Sequence, residues 1–430
     1  MSDAGSRTPR PRRAWLLCAL LGLLAGLALG LMACDQVEDV ADVVGMGENP
    51  GPLRIGLLLN LSEGAPGRAV ERRQAFELAI RHVNDAGGIF GQHVQLVLGN
   101  STLDPDQAVA EARRMVEEAG VHAIVGPTSS ANALAVAEQV SGPLGIPTVS
   151  PSATSPSLTN ADDNDFFFRT ALADGAQGPV LARVVREQGF GNVGVLYRND
   201  PYGIGLFEAF RNAWKGGINA VPVVDGKDSY LPELRQSAAA GASALVVLTF
   251  ESEGTLIVQE ALDSGLYTSF AFGDAVKSPD VVRTIGGDRL GGMYGTAGAP
   301  APGAASEAWD AAYASIYGAP PAFAYVRETY DAAIALAFAA QAADSLDGAA
   351  IRDALREVGG GPGQKVTQDP GSIKSGLGTL SDGMGVDYDG AVSLDWDANG
   401  DLRRGHIGVW RFTAEGTVED VDVISIGQQV

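Results

Sequence analysis

Two short loops concentrate the side chains able to do chemistry. Gly126-Pro127-Thr128-Ser129-Ser130-Ala131 follows the apolar run Ala123-Ile124-Val125, and Ser150-Pro151-Ser152-Ala153-Thr154 follows Ile146-Pro147-Thr148-Val149. A buried strand that empties into such a loop ahead of a helix gathers backbone N–H groups, short hydroxyls and a positive helix end at one point. That combination suits a small carboxylate. The same residues also have plain roles, Ser129 or Ser130 as a helix N-cap and Thr154 as turn chemistry before Pro156.

The elements that must hold these loops alternate between strand and helix. Arg54 to Leu59 reads as a buried strand, and the helix after it places Phe76, Ala79, Ile80 and Val83 on one face before Gly87-Gly88. His93 to Leu98 reads as a second strand. Asp104 then caps a helix with Pro105 at its first position, an inward stripe of Ala108, Ala112, Met115 and Ala119, and Gly120 past its end. After the polar run Asp162-Asp163-Asn164-Asp165 the pattern restarts, with strands at Val193 to Tyr197, Ala220 to Val224, Ala244 to Thr249 and Ser269 to Phe272. Helices at Gly203 to Trp214 and Ser252 to Ser264 separate them. Ala-rich helical segments follow at Ser306 to Tyr317, Ala322 to Ala343 and Ala349 to Val358, then a Gly-rich stretch, then strand-like Ala391 to Leu394 and Ile407 to Phe412. Buried strands in repeating βα units imply an α/β fold, here two doubly wound parallel-sheet lobes joined by a multi-strand hinge. A ligand cleft is expected between the carboxyl ends of their strands.

The chain begins with an address. Arg7, Arg10, Arg12 and Arg13 precede the apolar stretch Ala14 to Leu31, and Leu31-Met32-Ala33-Cys34 resembles a bacterial lipobox, in which the Cys is lipidated after cleavage. A transmembrane anchor is the competing reading. Cys18 lies within the leader, so Cys34 is the one thiol left and no disulfide is expected. Loss of the leader takes the formal charge from −22 to −25. So acidic a surface excludes a nucleic-acid partner. The expected organisation is a leader over 1–33, an acidic tether over 34–52, a first lobe over 53–172 plus 298–358, and a second lobe with hinge crossings over 173–297 plus roughly 386–430. The remaining segment, 359–385, reads as a Gly-rich insertion.

From Leu53 to Thr413 the chain resembles the type I periplasmic binding proteins of ABC importers, the leucine/isoleucine/valine type. The resemblance rests on Ile55-Gly56-Leu57, Val83-Asn84-Asp85-Ala86-Gly87-Gly88-Ile89-Phe90-Gly91, Val125-Gly126-Pro127, the run from Ser150 to Thr159, Asp200-Pro201-Tyr202-Gly203 and the segment from Asp389 to Asp401. It implies that Ser130 and Thr154 receive the α-carboxylate of an amino acid and that the Ser152 carbonyl takes an ammonium hydrogen. It further implies that Tyr202 enters from the second lobe and that Asp274 pairs with the ammonium. Ser129, Ala153, Ser62, Glu63, Phe250 and Glu251 are further candidates. Leu61, Ser62, Glu63 and the Phe250-Glu251 pair flank the cleft, and their two acids favour a polar or cationic ligand side chain. The sequence departs from the family at Asp274, where the best-known members carry Glu, at the ambiguous register of Phe250 and Glu251, and in the length of the Gly-rich stretch.

Catalytic motifs fail on inspection. Gly203-Ile204-Gly205 with Asp225 imitates a dinucleotide fingerprint, but Glu208 stands where the third glycine belongs. Asp395 to Asp401 starts like an EF-hand loop, yet its twelfth position is His406, so a polar turn is the better reading. Gly363-Gln364-Lys365 interrupts a P-loop, and His82, His93, His122 and His406 lack ligand spacing. The reading is a non-enzymatic lipoprotein of the cell envelope, facing the periplasm or the exterior. It would capture an amino acid or related zwitterion without cofactor or metal and deliver it to an ABC permease. The rivals are a ligand sensor of the same fold and a nucleotide-dependent enzyme.

Overall fold

The computed structural model describes residues 51–61, 66–239 and 241–427. The leader over 1–33, Cys34, most of the acidic tether, Ser62 and Glu63 lie outside the described residues. Five strands, β1 (Arg54–Leu59), β2 (Gln95–Asn100), β3 (Ala123–Val125), β4 (Thr148–Ser150) and β5 (Phe167–Arg169), form one sheet in the order β2-β1-β3-β4-β5. All its pairings are parallel. Such a sheet is covered on both faces, which is why β1 and β3 read as continuous apolar runs and why the short β4 is buried throughout. The expected cap holds: Asp104 accepts from the N–H groups of Asp106 and Gln107, and Ala108, Ala112 and Met115 are buried.

The second sheet takes β6 (Asn192–Arg198), β7 (Gly217–Val223), β8 (Ala244–Leu248), β9 (Phe270–Phe272) and β10 (Tyr294–Ala299). After a short parallel pair, β11 (Gln364–Val366) and β12 (Val386–Tyr388), it is completed by β13 (Gly405–Phe412) and β14 (Val418–Ile426), in the order β14-β13-β10-β9-β8-β6-β7. β13 and β14 pair antiparallel, so this sheet is mixed. The chain leaves the first sheet after β5, returns after β10 through helices that pack into the first lobe's core, and leaves again before β13.

Two segments differ from their sequence reading. Ala391 to Leu394 forms no ladder strand; Asp389 and Ser393 make an isolated bridge, and the Val392 N–H donates to Asp331 Oδ2 at 3.0 Å in place of a strand partner. The Gly-rich stretch 359–385 carries β11 and the helix Pro370–Ser381, whose Ile373, Leu377 and Leu380 sit in the first lobe's core beside Phe338 and Leu355. The glycines of the dinucleotide look-alike serve packing. A Cβ at Gly203 would stand 2.1 Å from the Arg198 carbonyl oxygen, and one at Gly205 would stand 2.6 Å from Pro156 Cδ. Asp225 is tied to Arg198 at 2.8 Å.

Candidate functional site

Loops at the carboxyl ends of strands from both sheets face one another across a cavity of about 130 Å³. From the first lobe come Leu59 at the end of β1, Thr128, Ser129 and Ser130 after β3, and Ser152 after β4; from the second come Tyr202 after β6, Phe250 and Glu251 after β8, and Asp274 after β9. This is the crevice where open α/β sheets place ligands.

On the hydroxyl side, Ser129 stands at the N-cap of the short helix Ser130–Val136 but makes no capping bond, and its Oγ is buried without a hydrogen-bond partner. The plain capping role is therefore not what occupies it. Ser130 Oγ accepts from the Ser155 N–H at 3.2 Å, and Ser152 Oγ donates to the Thr128 carbonyl at 2.8 Å, which locks the two loops together. Gly126 makes the entry possible: its φ is +114°, and a Cβ there would stand 2.2 Å from the Leu58 carbonyl oxygen. Thr154 is not at the cavity surface. Its hydroxyl is buried beside Asp174, its carbonyl accepts the Asp174 N–H at 2.9 Å, and Ala153 is likewise buried in the layer beneath.

On the acid side, Asp274 is 3% exposed. Its Oδ1 accepts from Tyr202 Oη at 2.9 Å and from Gln177 Nε2 at 3.3 Å, and Gln177 also donates to the Thr296 carbonyl at 3.0 Å. Among the described residues no group donates to Oδ2. Burial, then the neighbouring Asp274, raise the Tyr202 phenol well above its usual range, so it stays a donor. Behind it lies Asp174, fully buried, with neither carboxylate oxygen in a hydrogen bond. Burial, then repulsion from Asp274, push its carboxyl well up.

Phe250 stacks on Tyr202 with ring centres 5.4 Å apart and lies under the Arg198 guanidinium at 4.5 Å. Arg198 in turn is bonded to Asp200, Asp225 and Glu253. Glu251 accepts from Arg68 Nη2 at 3.3 Å across the cleft, and the same Nη2 donates to the Ala275 carbonyl at 3.1 Å. This pair already meets the Glu251 charge from the opposite lobe, while Glu63, the other acid of that reading, lies outside the described residues. Leu61 is exposed and does not line the cavity.

The sequence reading missed Arg68, Arg72, Gln177, Asp174 and Tyr325. A signal for Arg72 existed: with Phe76, Ala79 and Val83 it occupies the buried stripe of the helix Pro66–Asp85, a place where an arginine needs a reason. Burial, then Arg68 beside it, lower the Arg72 guanidinium to about 9, still charged at neutral pH. Tyr325 adopts a left-handed φ of +67° and lines the cavity with its ring 5.9 Å from the Arg72 guanidinium carbon.

In the turn after β12, Asp397 Oδ1 accepts from Asn399 and Asp401 backbone N–H groups, while Asp401 bonds Arg169 at 2.7 Å. Among the described residues no group of three or more His, Cys, Asp or Glu is arranged to hold a metal ion.

The Periplasmic binding protein sequence profile matches residues 52–372. The chain belongs to the periplasmic binding protein family. It is a binding protein and not an enzyme. It is 27% identical over 348 residues to Leu/Ile/Val-binding protein homolog 1 of Brucella abortus, covering 78% of this chain and 88% of that one. It is 27% identical over 366 residues to a chemotactic signal transduction system substrate-binding protein of Halobacterium salinarum, covering 79% and 82%. In fold it matches a leucine binding protein from Thermotoga maritima with TM-score 0.73, at 22% identity over 86% of this chain and 98% of that one. It also matches a branched-chain amino acid transporter substrate binding protein of Streptococcus pneumoniae, solved with isoleucine, with TM-score 0.72, at 22% identity over 87% and 100%.

Proposed function

We propose that this chain is the substrate-binding component of an ABC importer and captures an amino acid or related zwitterion by closure of its two lobes. One observation carries the reading. Asp274 keeps Oδ2 free of donors on the second lobe, while Ser129, whose Oγ is buried and unpartnered, lines the same cavity from the first. An ammonium fits the first and a carboxylate the second, and each would otherwise leave polar atoms uncompensated. Ser130 and Ser152 backbone groups complete the carboxylate and ammonium contacts, with Thr154 a supporting residue through its contact with Asp174. Because the two halves sit on different lobes, ligand contacts are complete only when the lobes are together, so binding shifts the population toward the closed form. The permease would read that form. The lobes take 53–172 with about 300–404 and 173–299 with 405–427, and lipidated Cys34 holds the protein at the cell envelope.

A panel of amino acids tested by thermal shift and calorimetry decides the matter. Saturable binding of at least one amino acid supports it, and failure of the whole panel overturns it. The Halobacterium relative, named for chemotactic signalling, supports a second reading, in which closure signals to a receptor. Co-purification with a permease or with a signalling partner separates the two.

A further inference from the structure

The cavity contains one charged group that a simple zwitterion does not use. Arg72 is 5% exposed and lines the cavity with Asp274, Ser130 and Tyr202. Among the described residues its guanidinium makes a single hydrogen bond, Nη2 to the Ala324 carbonyl at 3.4 Å, and its Nε is buried without a partner. Five donors in a planar fork are thus met by one long contact.

The charged groups around it do not remove the deficit. Arg68 repels it and is itself committed to Glu251 and the Ala275 carbonyl. Lys277 lies near Glu328 on the same side, and Glu328 and Asp274 attract Arg72 from a distance without bonding to it. Burial, the leading cause, raises the Glu328 carboxyl, which weakens it as a counter-charge. Asp274 is the partner proposed for the ligand ammonium. A ligand with an aliphatic side chain would therefore seal Arg72 into a closed cleft with its donors unmet, a costly arrangement. A planar carboxylate presents two acceptors in the geometry the fork matches. The subsite is also built: Tyr325 holds a left-handed backbone that places its ring against Arg72, and Gly298 makes room, since a Cβ there would stand 2.7 Å from that ring.

We infer that the ligand carries a second carboxylate, received by Arg72, so that the preferred ligands are dicarboxylic amino acids. This rests on the amino-acid reading above and narrows it.

Calorimetry on the full chain with glutamate, aspartate, glutamine, asparagine, leucine, isoleucine and lysine tests it. A dicarboxylate should bind at least tenfold tighter than its amide and about a hundredfold tighter than leucine. Arg72→Met should abolish the preference for acid over amide, and Arg72→Lys should keep part of it, with melting temperatures checking that both variants fold. The wild-type selectivity stands whatever the variants do. Leucine or isoleucine bound as tightly as glutamate, or amide and acid bound alike, would overturn the inference and leave the amino-acid reading intact. Binding of no amino acid would overturn both.

Discussion

Replacing Asp274 asks most directly whether the cleft is built for an ammonium. The side chain is 3% exposed, and Oδ1 is held by Tyr202 and Gln177, so Oδ2 is the atom offered to the ligand. Asp274→Asn is the cleaner substitution: its oxygen still accepts from Tyr202, while an uncharged amide replaces Oδ2. Asp274→Ala would instead leave the Tyr202 hydroxyl without an acceptor, at about 1–3 kcal/mol in the closed form. Removing one member of a buried charge pair costs about 3–5 kcal/mol, which is roughly two to four decades of affinity. The assay is calorimetry with the amino acid that binds best, paired with its 2-hydroxy analogue, which lacks the ammonium. The amino acid should lose those decades in Asp274→Asn. The hydroxy acid should bind parent and variant within a few-fold of each other. Equal affinity of parent and both variants for the amino acid would refute the assignment of Asp274.

Ser129→Ala should weaken binding by about 1 kcal/mol, roughly fivefold, because backbone donors remain for the carboxylate; an unchanged dissociation constant would return Ser129 to a packing role. Glu251→Gln removes the charge that ties Arg68 to the second lobe and should shift the unliganded protein toward a larger radius of gyration by small-angle scattering, with weaker ligand binding; an identical scattering profile would count against a latch. Asp331 is fully buried, accepts from Tyr388 Oη at 2.7 Å and from Val392 N at 3.0 Å, and burial pushes its carboxyl up to about 8. Its folded value lies above the unfolded one, so its contribution is complete in acid and is lost as pH rises through about 8, by up to about 1.4 kcal/mol per pH unit. Asp331→Asn retains an acceptor for Val392 and should flatten the pH dependence of unfolding between pH 5 and 8; parallel curves for the two proteins would exclude Asp331 as the source. Cys34→Ser should release the protein from membranes, and continued sedimentation through Ala14 to Leu31 would favour a transmembrane anchor.

The order of strands and helices was legible in the sequence because each obeys local rules. β1, β3 and β8 are continuous apolar runs, and Asp104 with Pro105 marks a helix start through contacts within three residues. The hydroxyl loops and Asp274 were legible for the same reason, since the residue after a parallel strand faces the crevice whatever the details of packing. What only the tertiary structure decided is pairing across long separations. Nothing near Glu251 in sequence announces Arg68, 183 residues away, whose ion pair meets the charge that the acids alone left open. Thr154 shares the loop of Ser152, yet contact with Asp174 draws it beneath the cavity. β13 and β14 join the second sheet because β13 finds its partner in β10, more than a hundred residues earlier, a pairing no local signal records. Arg72 stood visible in an apolar helical stripe, but whether it is buried, and how few partners it finds there, depends on Ala324, Tyr325 and Asp274 arriving from two other parts of the chain.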